Sequence, residues 1–130
     1  MIIVPGRARD GKSDKRSSTF TGSVWADPVL PSTDGVTINT VFFAPCAHTY
    51  WHHHERGQIL QVLAGTGFVC AIGELPQLIR PGDLVWAPPG EQHWHGATTG
   101  SFMSHLAISL GTTVWGEEVA EADYNAANNE

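Results

Sequence analysis

The sequence predicts an all-β fold, a barrel or sandwich, with one short helix at its C-terminal end. Three observations carry this. Apolar, aromatic and β-branched residues recur in short runs at close, regular spacing. Fourteen glycines and eight prolines punctuate those runs. No helical stretch separates one run from the next, so crossover helices and a parallel sheet are excluded. At 130 residues the chain has room for one core, and its 42% hydrophobic content is enough to fill it.

About eight strands follow in order. Thr19–Trp25 reads as the first. Val36–Phe43 is clearer, with Val36, Ile38, Thr40 and Phe42 on one face. Gln58–Ala64 is apolar and ends at Gly65-Thr66-Gly67, a turn signal, so Phe68–Ile72 is expected as its hairpin partner. Leu75–Arg80 stops at Pro81-Gly82-Asp83; Leu84–Ala87 stops at Pro88-Pro89-Gly90; His93–Ala97 and Ser101–Leu110 complete the set. Glu117–Tyr124 is rich in helix formers, with acidic groups where a helix N-terminus favours them. A short helix is expected there, Val119 and Tyr124 packing on the barrel and the last residues fraying.

Net charge is −6, unevenly placed. Five of the seven Lys and Arg (Arg7, Arg9, Lys12, Lys15, Arg16) fall in the first 16 residues. The division is therefore a basic arm, 1–18, and one barrel domain, 19–130. The arm is short, interleaved with Asp10 and Asp14 and free of aromatic residues, while the body is acidic and repels a phosphate backbone; nucleic acid is not an expected partner. A solvated arm, or one draped over a neighbouring subunit, is expected. No apolar run is long enough to span a bilayer, and Met1-Ile2-Ile3-Val4 stops at Pro5-Gly6, too short for a secretory signal. No membrane partner and a cytoplasmic location are expected. Cys46 and Cys70 lie 24 positions apart without C-x-x-C spacing and read as free thiols.

The histidines carry the chemistry. His52, His53 and His54 form one cluster and His93 and His95 another, with His105 apart. Residues two apart on a strand point the same way, so His52 and His54 can aim at one point, as can His93 and His95, while His53 faces the other side. Imidazoles converging inside a barrel must be bonded to something, and they suit first-row divalent metals. A His run can also be a purification tag or a set of capped surface residues. This one is internal, flanked by Trp51 and Glu55, and a second His-x-His lies 41 residues on. By the same alternation Glu55 points away from the His52/His54 face, and Trp51, Trp86 and Trp94 are expected to pack the barrel or the strand interface rather than recognise substrate.

The order and spacing of these residues resemble the two motifs of the cupins. The first runs His52-His53-His54-Glu55-Arg56-Gly57-Gln58, then six residues to Gly65; the second runs Gly82, five residues to Pro88, then Gly90 and His93. The resemblance implies a jelly-roll barrel, the double-stranded β-helix of cupins, holding one divalent metal ion. Three departures stand out. Gln58 replaces the usual glutamate, Ala97 the final asparagine, and the leading glycine of the first motif is missing near Cys46. Three neutral imidazoles and an amide leave a divalent ion its full charge, which favours Lewis-acid work on an anionic or alkoxide ligand.

A closer resemblance covers residues 19 to 124, through Thr19–Val24, Trp51–Gln58, Arg80–Trp86, Pro89–Ala97, Met103–Ile108 and Trp115-x-Glu117-x-Val119. These stretches are similar to the bacterial manganese-dependent cupin hydroxynitrile lyases and their relatives. The resemblance implies that His52, His54, Gln58 and His93 hold the metal, manganese or iron, with zinc and nickel as further candidates. It implies that His95 and His105 lie beside the metal. His105, sharing a strand face with Met103 and Ala107, is the candidate base, with a pKa near 6.5; His95 is its partner or steadies departing cyanide. Alternatively, these two histidines only hydrogen-bond each other or a metal-bound water. The implied reaction is cleavage of a cyanohydrin to an aldehyde and hydrogen cyanide, or its reverse. A metal-dependent dioxygenase or oxidase and an isomerase or small-ligand-binding cupin are the competing functions. Small cupins usually pair, often by exchanging N-terminal strands, so a homodimer or dimer of dimers is expected.

Overall fold

A computed structural model describes residues 1–8 and 10–129. Arg9 of the basic arm and Glu130 at the end of the domain lie outside the described residues. Thirteen strands build the barrel: β1 (Asp14–Arg16), β2 (Phe20–Thr21), β3 (Val24–Thr33), β4 (Val36–Phe43), β5 (His48–Thr49), β6 (His52–His54), β7 (Gln58–Gly65), β8 (Gly67–Ala71), β9 (Gln77–Ile79), β10 (Leu84–Ala87), β11 (His93–Ala97), β12 (Met103–Leu110) and β13 (Thr113–Trp115); one helix, α1 (Glu121–Asn128), follows. The six-stranded sheet runs β1-β3-β4-β12-β7-β10, and the other runs β13-β6-β11-β5-β2, with β8 on β11 and β9 on β8. All pairings are antiparallel, the arrangement of a jelly roll.

Between the sheets lies a core of Val24, Val41, Phe43, Leu60, Val62 and Met103, all buried. These side chains come from alternate positions of β3, β4, β7 and β12, and the same alternation turns His105 inward. On β4 the inward set is Thr37, Asn39, Val41 and Phe43, so the apolar face expected from Val36, Ile38, Thr40 and Phe42 is the outer one. Gly96, in the middle of β11, lets that strand approach Ala47 and His48; a side chain there would collide with both.

Several expectations need correction. Thr19–Trp25 is two strands, β2 and the start of β3, because Gly22 turns the chain at φ 81°. β7 and β8 are not a hairpin: Gly65, at φ 76°, sends the chain from one sheet into the other, where β8 pairs with β11 and β9. The helix begins later than expected, at Glu121, because Glu117 is held in extended chain by the amide of Trp51. Val119 and Tyr124 do pack on the barrel, against Trp94 and Phe68. In the last turn of α1 the Asn128 side chain accepts a hydrogen bond from the amide of Thr99, and Glu130, the last of the residues expected to fray, lies outside the described residues. Trp94 is buried and Trp51 partly so, but Trp86 stands on the outer surface. The described residues of the arm are mostly exposed, and the arm also runs along the barrel: β1 pairs with β3, and the Ala8 amide bonds to the Pro28 carbonyl. Cys46 and Cys70 are free thiols, and no helix among the described residues is long and apolar enough to cross a membrane.

Candidate metal centre and its proton-carrying pair

A cavity of about 530 Å³ opens at one end of the barrel. Residues Ser17 to Phe20 close one side of its mouth, and the inward faces of β4, β12 and β6 form its walls. His52, His54, Gln58, His95 and His105 line it, and His93 stands beside Gln58 with its ring against His52. All six are buried. His53, on the opposite face of β6, is not part of it, and Glu55 turns away to accept a bond from the Thr112 amide. His48, which the sequence leaves without a role, is buried outside the cavity, its ring stacked on Tyr124 at 4.1 Å.

Backbone carbonyls settle two of the tautomers. Nδ1 of His52 lies 2.9 Å from the Tyr50 carbonyl, and Nδ1 of His93 lies 3.0 Å from that of Glu91. A carbonyl only accepts, so each Nδ1 carries the proton and each Nε2 presents a lone pair. His54 leans by Nδ1 on the Thr113 hydroxyl at 3.0 Å, and its Nε2 is buried with no partner among the described residues. Gln58 donates its amide to Ser109 Oγ at 3.1 Å and aims its oxygen at His93 Nε2, 3.0 Å away.

That last contact sets two lone pairs against each other. Two arrangements relieve it: the Gln58 amide turned end for end, donating to His93 Nε2 and accepting from the Ser109 hydroxyl, or a cation standing where both lone pairs point. The cation also satisfies the orphaned His54 Nε2, so the donor set fits a divalent metal. His52, His93 and His95 each offer a ring nitrogen, all within 4.8 Å of one another, a group that could hold a metal ion. This trio shares two members with the expected four and adds His95. His54 and Gln58 face the same cavity.

Cross-strand register places the supports. Thr113 lies directly opposite His54 in the β13–β6 pair, and Ser109 directly opposite Gln58 in the β12–β7 pair. Sequence reasoning missed both, and missed Trp115, whose ring covers His52 at 4.6 Å. Ser109 was within reach, being four residues beyond His105 on the same face. Thr113 and Trp115 sit on a three-residue strand without a periodic signal.

His95 and His105 form a pair, with His105 Nε2 and His95 Nδ1 3.0 Å apart and one proton between them. When that proton sits on His95, His95 Nε2 is a lone pair open toward the metal group. When it sits on His105, neutral His95 presents an N–H there instead. Phe43 packs against both rings. Burial holds every imidazole of the cavity uncharged: His105 and His54 are pushed down to about 4, and His52, His93 and His95 also lie below the ordinary value, mainly through desolvation. Charged side chains line the cavity only at its mouth, where Asp14 and Arg16 pair at 3.2 Å and Lys15 stands between them in sequence.

The comparisons with known proteins agree with this architecture. Residues 39–108 match the model of the cupin domain. The chain is 43% identical over 111 residues to an (R)-mandelonitrile lyase of Granulicella tundricola, covering 81% of this chain and 85% of that protein. Among solved structures, a cupin-like protein from Thermotoga maritima superposes with a TM-score of 0.83 at 36% identity, covering 87% of this chain and 91% of the other. A predicted oxalate decarboxylase from the same organism has a TM-score of 0.72 at 19% identity, over 85% of this chain and 100% of its own, and shows the fold alone. With motif spacing, sheet topology and these likenesses in agreement, the chain belongs to the cupin family.

Proposed function

We propose that this cupin is a metal-dependent lyase of the hydroxynitrile-lyase type, cleaving a cyanohydrin to an aldehyde and hydrogen cyanide or running the reverse addition. The observation that carries the reading is the uncharged cavity: imidazoles and one amide converge where the usual cupin carboxylate is missing. Similarity to the Granulicella mandelonitrile lyase supports it. His52, His54, Gln58 and His93 would hold the ion, manganese or iron, with His95 adjacent. When bound, the metal supplies undiminished Lewis acidity toward the substrate oxygen.

The chain's own residues handle the proton. His95 Nε2 takes it from the substrate hydroxyl, while His95 Nδ1–H is steadied by His105 Nε2. The hydroxyl electron pair becomes the aldehyde C=O, the C–CN bond breaks, and cyanide leaves with that bond's electrons. His95 returns the same proton to give hydrogen cyanide, so the enzyme ends as it began. Compared with the sequence-based expectation, the roles are reordered: His95 faces the metal group and His105 stands behind it as the positioning partner. Phe43 beside the pair and Trp115 over His52 provide apolar wall, suited to an aromatic or aliphatic aldehyde. Free thiols fit a cytoplasmic setting.

The test is benzaldehyde release from mandelonitrile by manganese-loaded protein under argon, with His95→Ala and His105→Ala alongside. Turnover without oxygen, lost in His95→Ala and reduced in His105→Ala, is the expected result. Turnover no greater than that of free manganese refutes the lyase reading. The three-imidazole group favours one competitor, an oxygen-dependent reaction of iron at the same place. An oxygen electrode with iron-loaded protein separates the two.

A further inference from the structure

A second cavity, of about 580 Å³, lies between β5 and α1 and shares no lining residue with the cavity of the metal centre. Thr49 of β5 faces the first cavity and its neighbour His48 the second. Cys46 opens onto this second cavity, exposed, with its backbone at φ 73°. That is the left-handed region, which glycine enters freely and a side chain enters at a cost. Cys46 stands six residues before His52, the place of the missing motif glycine. The backbone thus keeps the conformation that glycine suits, and the chain carries a thiol there. His48 is a second, independent mark of a ligand site. It is 4% exposed, and its Nδ1 lies 2.8 Å from the Cys46 carbonyl and so carries the proton. Its Nε2 is a lone pair with no hydrogen-bond partner among the described residues. Glu118, held by the Thr21 hydroxyl at 3.1 Å, lines the same cavity. Burial lowers the His48 pKa, and the Cys46 carbonyl and the nearby Glu118 charge oppose that shift. Glu121 adds another carboxylate, and the described lining holds no Lys or Arg.

We infer that this cavity takes a small organic ammonium bearing a disulfide, and that Cys46 is where such a molecule becomes covalently attached. The lining fixes that chemistry. Glu118 and Glu121 attract a cation and repel an anion. The Glu118 carboxylate and the free His48 Nε2 accept the N–H groups of an ammonium, and Cys46 supplies the sulfur. The volume suits a small molecule, with Val119 and Ala120 as apolar wall. Tyr124, stacked on His48 at 4.1 Å with its hydroxyl bonded to the Ala97 carbonyl, holds the imidazole in place. The step is thiol–disulfide exchange. The Cys46 thiolate attacks one sulfur of R–S–S–R, that S–S bond breaks and a Cys46–S–S–R bond forms. The departing RS⁻ leaves with the electron pair and takes up the proton that Cys46 gave up. Cys46 is oxidised and half of the disulfide is reduced to thiol, so no further reagent is needed. Cys70, the other free thiol, is buried, with Sγ 3.4 Å from the Glu74 carbonyl, and stays reduced. An exposed thiol alone would react with disulfides of any charge; the two carboxylates impose a preference.

The test follows mixed-disulfide formation on the metal-loaded protein by intact-mass spectrometry and peptide mapping. Three disulfides of similar size serve as probes: cystamine, hydroxyethyl disulfide and dithiodiglycolate, which are cationic, neutral and anionic. Each rate is divided by that of the same reagent with free mercaptoethanol, which removes differences in intrinsic reactivity. On this scale Cys46 should take cystamine at least about fivefold faster than the neutral reagent, with dithiodiglycolate the slowest. Glu118→Gln, at an exposed position, should remove most of that preference. Glu74→Gln changes the net charge equally but lies outside the cavity, and should keep it. Cys46→Gly restores the residue the turn suits; it should melt no lower than the parent and take no adduct. Equal corrected rates for the three reagents overturn the inference and leave Cys46 an ordinary exposed thiol. So does a cystamine preference that Glu118→Gln leaves intact or that Glu74→Gln removes, or an adduct found on Cys70 instead.

Discussion

Thr113→Val removes one hydroxyl and keeps the side-chain volume. The Thr113 Oγ1 is the partner of His54 Nδ1 at 3.0 Å, and no other partner of that nitrogen is present among the described residues. Two effects follow. In the metal-free protein a buried ring nitrogen loses its hydrogen-bond partner, at about 1–3 kcal/mol of stability. Loss of such an outer partner typically weakens metal binding by about 10–100-fold, or about 1.4–2.7 kcal/mol, because the ring no longer holds its Nε2 on target. The assay is titration with manganese, following free ion by its electron paramagnetic resonance signal, beside thermal melts with and without metal. The expected result is a weaker dissociation constant with the strand content retained. A constant within twofold of the parent, at unchanged melting temperature, would show that His54 is not a ligand held by Thr113.

Two other perturbations address charge. Gln58→Glu places a carboxylate in a buried pocket beside His93 and opposite Ser109. The metal-free variant should melt lower at pH 7 and the manganese-loaded one higher, so the shift on adding metal widens; equal shifts in variant and parent would mean that residue 58 does not touch the ion. Acid should destabilise the metal-free protein well before its carboxylates titrate. His105 sits at about 4 when folded against about 6.5 unfolded, so the unfolded chain takes its proton first as pH falls. Stability is complete above about pH 6.5 and declines toward pH 4, by on the order of 3 kcal/mol for this fully buried residue alone. Equal urea midpoints at pH 7 and pH 4.5 would contradict the burial argument.

Motif spacing made the site legible because strand alternation is rigid. Once His52 and His54 are on a strand, both must face one side, and the same holds for His93 and His95. What alternation cannot supply is which face is inside when both are apolar. Along β4, Ile38 and Phe42 look as core-like as Val41 and Phe43, and only the opposing sheet decides. Turn chemistry failed for a related reason. Gly65-Thr66-Gly67 specifies a change of direction, but the partner of each flanking strand is set by distant residues: Met103–Leu110 for β7 and His93–Ala97 for β8. Thr113 was invisible as a support for the same reason, since it is defined by what lies across a strand pair.

Strands β7 and β12 carry site residues on one face and apolar residues on the other. Inward they present Gln58, His105 and Ser109; outward, Ile59, Leu106 and Ile108. Because side chains alternate with period two, a one-residue slip between these strands would carry Ser109 away from Gln58 and turn His105 out of the cavity. Charge placed at Leu106, on the outer face opposite Gln61, would report on that register through manganese affinity. Unchanged affinity in Leu106→Lys would show that the inward residues alone hold β7 and β12 in register.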